Sequence, residues 1–190
     1  MKTRLLILFL LSSTVLSAQW TAPMYLQFTY ENYTNYSDFN EPVKAESFNA
    51  ALLEAAIFYE TNRQRVLNGM TELSYDQALN ICAHDHSVDM VNYKFFSHTS
   101  VVEGKKSMSD RLTLVGYKNC WSGENIVVGV AQESYAKTAR YLVEDLWMNS
   151  PGHRQNILNS KYSHLGTGAA CYFDESWLMI KATQNFVLKK

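Results

Sequence analysis

The chain has little of what extended or stapled architectures need. Three Pro and eight Gly in 190 residues leave no room for a collagen-like or linker-rich protein. Neither sign of charge dominates, since 17 Lys and Arg stand against 18 Asp and Glu for a formal charge of −1. No basic excess draws the chain onto phosphate backbones, so no nucleic-acid partner is expected. The one unbroken apolar run, Leu5 to Leu11, falls short of the ~20 residues a helix needs to cross a bilayer, and no membrane span is expected. Three Cys are scattered at 82, 120 and 171, with no second Cys at a metal-ligand spacing.

What is present suits a packed core: 47% of residues are apolar and 13% aromatic. The length fits one domain with an extension. Lys2 and Arg4, the apolar run, and a small-residue stretch ending at Ser17 or Ala18 have the pattern of a secretory signal peptide over residues 1–18. No Cys follows the run to carry a lipid anchor. A secreted, soluble monomer is therefore expected, cleaved near Ser17 or Ala18 and carrying 15 basic against 18 acidic side chains. In an oxidising compartment, an odd cysteine count implies one disulfide and one thiol. Cys82 falls on the apolar face of a helix, where a buried thiol behaves as a small hydrophobe. By elimination, Cys120 pairs with Cys171.

Residues 19–46 are rich in Tyr, Asn, Thr and Ser without a sustained period, which reads as an irregular arm before a domain at 47–190. Tyr25, Tyr30, Tyr33 and Tyr36 within it are either packing residues or a contact for carbohydrate or lipid. Three amphipathic helices follow. One runs over Ser47–Leu67 with Ser47 as N-cap, one over Ser74–Tyr93 with a Ser-x-x-Gln capping box at Ser74, and one over Glu133–Trp147. Strands are expected over Glu124–Ala131, His164–Phe173 and Trp177–Phe186, the last two joined by a turn at Asp174–Ser176. That order indicates an α+β domain on a small, mainly antiparallel sheet.

The chemistry-bearing residues stand at element ends. His98 follows the second helix, Glu124 opens a strand, and Ser150 to His153 follow the third helix. Two imidazoles and a carboxylate suit either of two uses. They can hold a divalent cation such as zinc, or share protons as an acid/base pair. His84 and His86 resemble a ligand pair but lie two apart on a helix, so they point to different faces. His164 opens a strand with no evident partner.

Several motifs come in order at sensible spacing. They are Asn62-Arg63 with Gly69, Phe96-Ser97-His98, Asp110-Arg111, Gly116-Tyr117, Gly123-Glu124-Asn125-Ile126, Trp147 through Leu158 (WMNSPGHRQNIL), Gly166-x-Gly168 and Thr183-Gln184-Asn185-Phe186. The series resembles the CAP superfamily of cysteine-rich secretory proteins, antigen 5 and plant pathogenesis-related group one proteins. Its bacterial SCP-like extracellular branch is the nearest match, over about residues 50–186. The resemblance implies a three-layer α-β-α sandwich with a central cleft carrying two His and two acidic residues. His98, Glu124 and His153 match three of the four, with His98 and His153 as the implied cation ligands. The fourth position holds Ser150, and Glu144, about one helical turn before Trp147, is a candidate substitute. The resemblance further implies a disulfide consistent with Cys120–Cys171, and binding of a lipid, small ligand or extracellular protein without catalysis. Two other readings stay open: a metal-dependent hydrolase using the same cleft, and a purely structural scaffold.

Overall fold

Asn49 and Asp76, not the serines two residues before each, begin the first two helices of the computed structural model, which describes residues 20–189. Asn49 Oδ1 accepts the Leu52 N–H at 3.1 Å and opens α1 (Ala50–Leu67). Asp76 Oδ1 accepts the Leu79 N–H at 3.0 Å and opens α2 (Gln77–Asn92). Each cap satisfies an orphan amide of the first turn. Ser47 is drawn into a 3₁₀ turn, Ala45–Ser47, and Ser74 into a two-residue strand, β1 (Ser74–Tyr75).

The chain continues through α3 (Met108–Leu114), β2 (Ser122–Val130) and α4 (Tyr135–Arg140). α4 runs on as a wider π-helical stretch, Tyr141–Trp147, before α5 (Pro151–Ile157), β3 (His164–Asp174) and β4 (Trp177–Val187). α3 and α5, at seven residues each, are too short to show a helical period in the sequence. α3 announces itself only through the reciprocal Ser107–Asp110 capping box.

The four strands lie in the order β1-β3-β4-β2, antiparallel except for the β1–β3 pair. Alternation along β3 sorts the layers. Leu165, Thr167 and Ala169 face α1, where Thr167 Oγ1 donates to the Glu54 carbonyl at 2.8 Å. Gly166 and Gly168 face α2, so the sheet is sandwiched between helices. These two glycines set the depth of that contact. A Cβ at Gly166 would stand 2.1 Å from the Asn80 nitrogen, and one at Gly168 would stand 2.1 Å from the Ala83 carbonyl. Among the described residues no helix is long and apolar enough to cross a membrane.

The leader expected over residues 1–18 lies outside the described residues. The arm after it is a chain of short 3₁₀ turns docked on α1. Trp20 sits among Tyr25, Phe28, Tyr36, Phe39 and Tyr59, with ring centroids 5.0–6.3 Å apart. Tyr33 stacks on Tyr59 and donates its hydroxyl to buried Glu60 at 2.7 Å. Tyr25 and Tyr33 are therefore core residues rather than a free contact surface.

The expected Cys120–Cys171 disulfide is not formed, and all three cysteines are free. β4 shows why. Ser122 lies opposite Val187 while Cys171 lies opposite Ile180, seven residues along the same strand. That is about 23 Å of strand, against the ~7 Å Cα separation beyond which two cysteines cannot be bridged.

Replacing Gly168 with Ala should lower the unfolding free energy by roughly 1–3 kcal/mol or more, through overpacking against backbone. Gly152→Ala, where the new methyl meets open space, should leave stability unchanged or raise it by about 0.5 kcal/mol. Urea unfolding of the two variants checks the pair.

Candidate functional site

A buried guanidinium builds the site. Arg111, on α3, is 2% exposed and Glu124, on β2, is 9% exposed. Arg111 Nη2 donates to Glu124 Oε2 at 2.7 Å. The same guanidinium donates to the His98 carbonyl at 3.2 and 3.3 Å and to the Lys105 carbonyl at 3.1 Å. It thus pins both ends of the loop between α2 and α3. The loop in turn delivers His98, whose Nδ1 meets Glu124 Oε1 at 2.8 Å. With its amide nitrogen turned toward the same carboxylate, Asn185 adds a donor to Oε2 at 3.2 Å.

Glu124 therefore has both oxygens occupied. Burial alone would raise its pKa. The His98 hydrogen bond and the Arg111 charge outweigh burial and hold it below the ordinary carboxylate range. An ionised Glu124 only accepts, so the His98 Nδ1 is the donor in that contact.

His153 comes from the other side, on α5. Its carbonyl accepts from Asn125 Nδ2 at 3.1 Å, and Asn125 also reaches Gln184 Oε1 at 2.9 Å. Asn156 Nδ2 ties α5 to β2 at Asn125 Oδ1, 2.8 Å away. Burial, and then the neighbouring charge of His98, keep His153 below its usual pKa. Phe96 to His98, Ile126 to Val128 and His153 line an open groove of about 450 Å³.

His98, Glu124 and His153 thus meet at one site. Ser150 and Glu144 do not join them. Ser150 precedes α5, makes no capping bond with its side chain, and is absent from the groove wall. Glu144 is ion-paired with Arg63 at 2.6 Å and does not replace the missing acid. In the sequence Arg111 stands out only as half of the Asp110-Arg111 motif, and that adjacency carries no signal of a partner on β2.

The other histidines divide as the helix geometry requires. His84 Nδ1 meets Glu54 at 2.6 Å, and that carboxylate also accepts from Asn80 and from the Ala169 N–H. His86 is fully buried, and neither ring nitrogen meets a partner among the described residues. Burial pushes His86 down to about 4. His164 Nδ1 pairs with Ser163 Oγ at 2.9 Å.

Removing one member of a buried ion pair strands the other. Arg111→Met should cost roughly 3–5 kcal/mol in urea unfolding, and adding Glu124→Gln should recover part of that loss. A second test concerns acid. His86 is depressed in the folded chain, so between about pH 6.5 and pH 4 the unfolded chain binds more protons. Its contribution is complete above pH 6.5 and is lost as the pH falls through that window, by at most about 3 kcal/mol. Unfolding of His86→Leu at pH 7 and pH 4 should show a flatter dependence than the parent.

Comparison with known proteins identifies the family. The model of the cysteine-rich secretory protein family, CAP, matches residues 58–186. The uncharacterized membrane protein YlbC of Bacillus subtilis is 37% identical over 134 residues, 70% of this chain and 34% of that protein. The protein YkwD of the same organism is 37% identical over 108 residues, 57% of this chain and 38% of its own length. Among solved structures, an extracellular protein containing a SCP domain from Bacillus anthracis superposes with a TM-score of 0.59 at 32% identity. That match covers 74% of this chain and 41% of the other. The chain spans little more than a third of the length of the curated relatives it matches. By the match of that family model and by its sandwich of helices around a mainly antiparallel sheet, the chain belongs to the cysteine-rich secretory protein (CAP) family.

Proposed function

We propose that the protein is a secreted, non-catalytic binding domain whose cleft holds a divalent cation such as zinc through His98 and His153. The groove around them receives an extracellular lipid, small ligand or protein. The observation that carries this reading is the doubly occupied carboxylate of Glu124. A carboxylate bridged by Arg111 and His98 is not free to act as a base. It acts as a metal site's outer partner does, fixing the tautomer and direction of an imidazole. Neutral imidazoles are the form that binds cations, and the depressed pKa of His153 favours that form. A cation there would supply a positive anchor for an oxygen-bearing ligand. Export is supported by the basic, apolar and small-residue pattern of residues 1–18.

Isothermal titration of zinc into protein stripped with a chelator tests the reading. Near-stoichiometric uptake is expected, lost in His98→Ala and in His153→Ala, and weakened about 10–100-fold in Glu124→Gln. No uptake by the parent protein would overturn the cation site. Peptide or ester turnover that needs zinc and disappears in His98→Ala would overturn the non-catalytic part.

A further inference from the structure

We infer that the groove takes an extended polypeptide segment of a partner protein, which adds to the outer edge of β2 as a further strand. This deepens the reading of the cleft as a binding site and rests on it, but not on its cation.

The register of the sheet shows which backbone groups are free. Leu188 N–H donates to the Trp121 carbonyl and Ala131 N–H to the Leu178 carbonyl. In an antiparallel pair, residues that exchange hydrogen bonds alternate with residues whose N–H and C=O turn away. The odd-numbered residues of β2 therefore bond β4, and the even-numbered ones present their backbone outward. Three outward carbonyls confirm the parity by having side-chain donors: Glu124 from Asn156, Ile126 from Trp147 and Val130 from Gln132. The N–H groups of Ile126 and Val128 and the C=O of Val128 meet no partner among the described residues.

Those groups form the floor of the cleft. Consecutive residues Ile126, Val127 and Val128 all line the groove, which side chains of one face alone cannot do. The groove therefore runs along the strand edge, with His98 and His153 in its walls. The opposite edge is treated differently. There, Glu54 takes the Ala169 N–H at 3.1 Å and so covers β3 beyond its short pairing with β1.

The chemistry of the free groups selects the occupant. Two donors and an acceptor at a strand's spacing, flanked by the half-exposed Phe96 ring, match the backbone of an extended chain with apolar side chains toward Ile126 and Val128. A lipid tail offers no groups to pair with them.

The test uses ¹⁵N-labelled protein in EDTA, so that a missing cation site leaves it intact. The probe is a pool of end-blocked, randomised hexapeptides at millimolar total concentration, and the readout is amide exchange at Ile126 and Val128. Binders drawn from the pool are then remade with N-methyl groups on alternate residues, in both phases. Protection of both amides is expected, with roughly tenfold or greater weakening in one phase of methylation only, because two edge bonds are lost. Absence of protection, or equal weakening in both phases, overturns the proposal. So does a dimer by light scattering in which these amides are already protected, since a second copy would then own the edge.

Discussion

The arrangement at the cleft depends on one ion pair set where water does not reach. Arg111 and Glu124 are each withdrawn from solvent at a cost of several kcal/mol, which only close and numerous contacts can offset. Here one guanidinium serves a carboxylate and two main-chain carbonyls, while the carboxylate serves a guanidinium and an imidazole. Their value is specificity of position. The pair welds α3, the loop carrying His98 and the start of β2 into one unit. An imidazole that would otherwise swing on an exposed loop is thereby held over the edge of a strand.

The amides of Asn125, Asn156 and Gln184 do for His153 what Arg111 does for His98, without charge. Asn125 and Gln184 face each other across β2 and β4, and Gln184 continues to Thr61 on α1. Asn125 and Gln184 each donate and accept, and Asn156 donates to Asn125, so the series stays satisfied in a dry interior. The two histidines are thus positioned by separate networks, one charged and one neutral.

Much of this was legible in the residues. The long periodic stretches gave α1, α2 and the helix ending at Trp147, and the β-branched runs gave three strands close to their observed bounds. The spacing of His98, Glu124 and His153 alone does not mark a cleft; it is the resemblance of their motifs to the CAP superfamily that implies one. What escaped notice depended on contacts distant in sequence. Ser74 could not be recognised as a strand residue, because its partner His164 lies ninety positions away. The π-helical widening that turns Glu144 toward Arg63 leaves no mark in a 3.6-residue pattern. The cysteine pairing failed for a similar reason: counting thiols says nothing of where the strand register leaves them.

The order of the strands has a consequence for how the chain is made. β3 and β4, the two inner strands, are the last elements in the sequence, ending at Val187. Every helix and both outer strands leave the ribosome before the surface they pack on exists. Until then, Ala83 and the side of α1 that faces β3 lack the strands they pack against, although the aromatic arm and α4 already cover the rest of α1. The sheet of this domain is completed only when those two strands are available. A nascent chain stalled thirty residues short would hold two helix layers with no sheet between them.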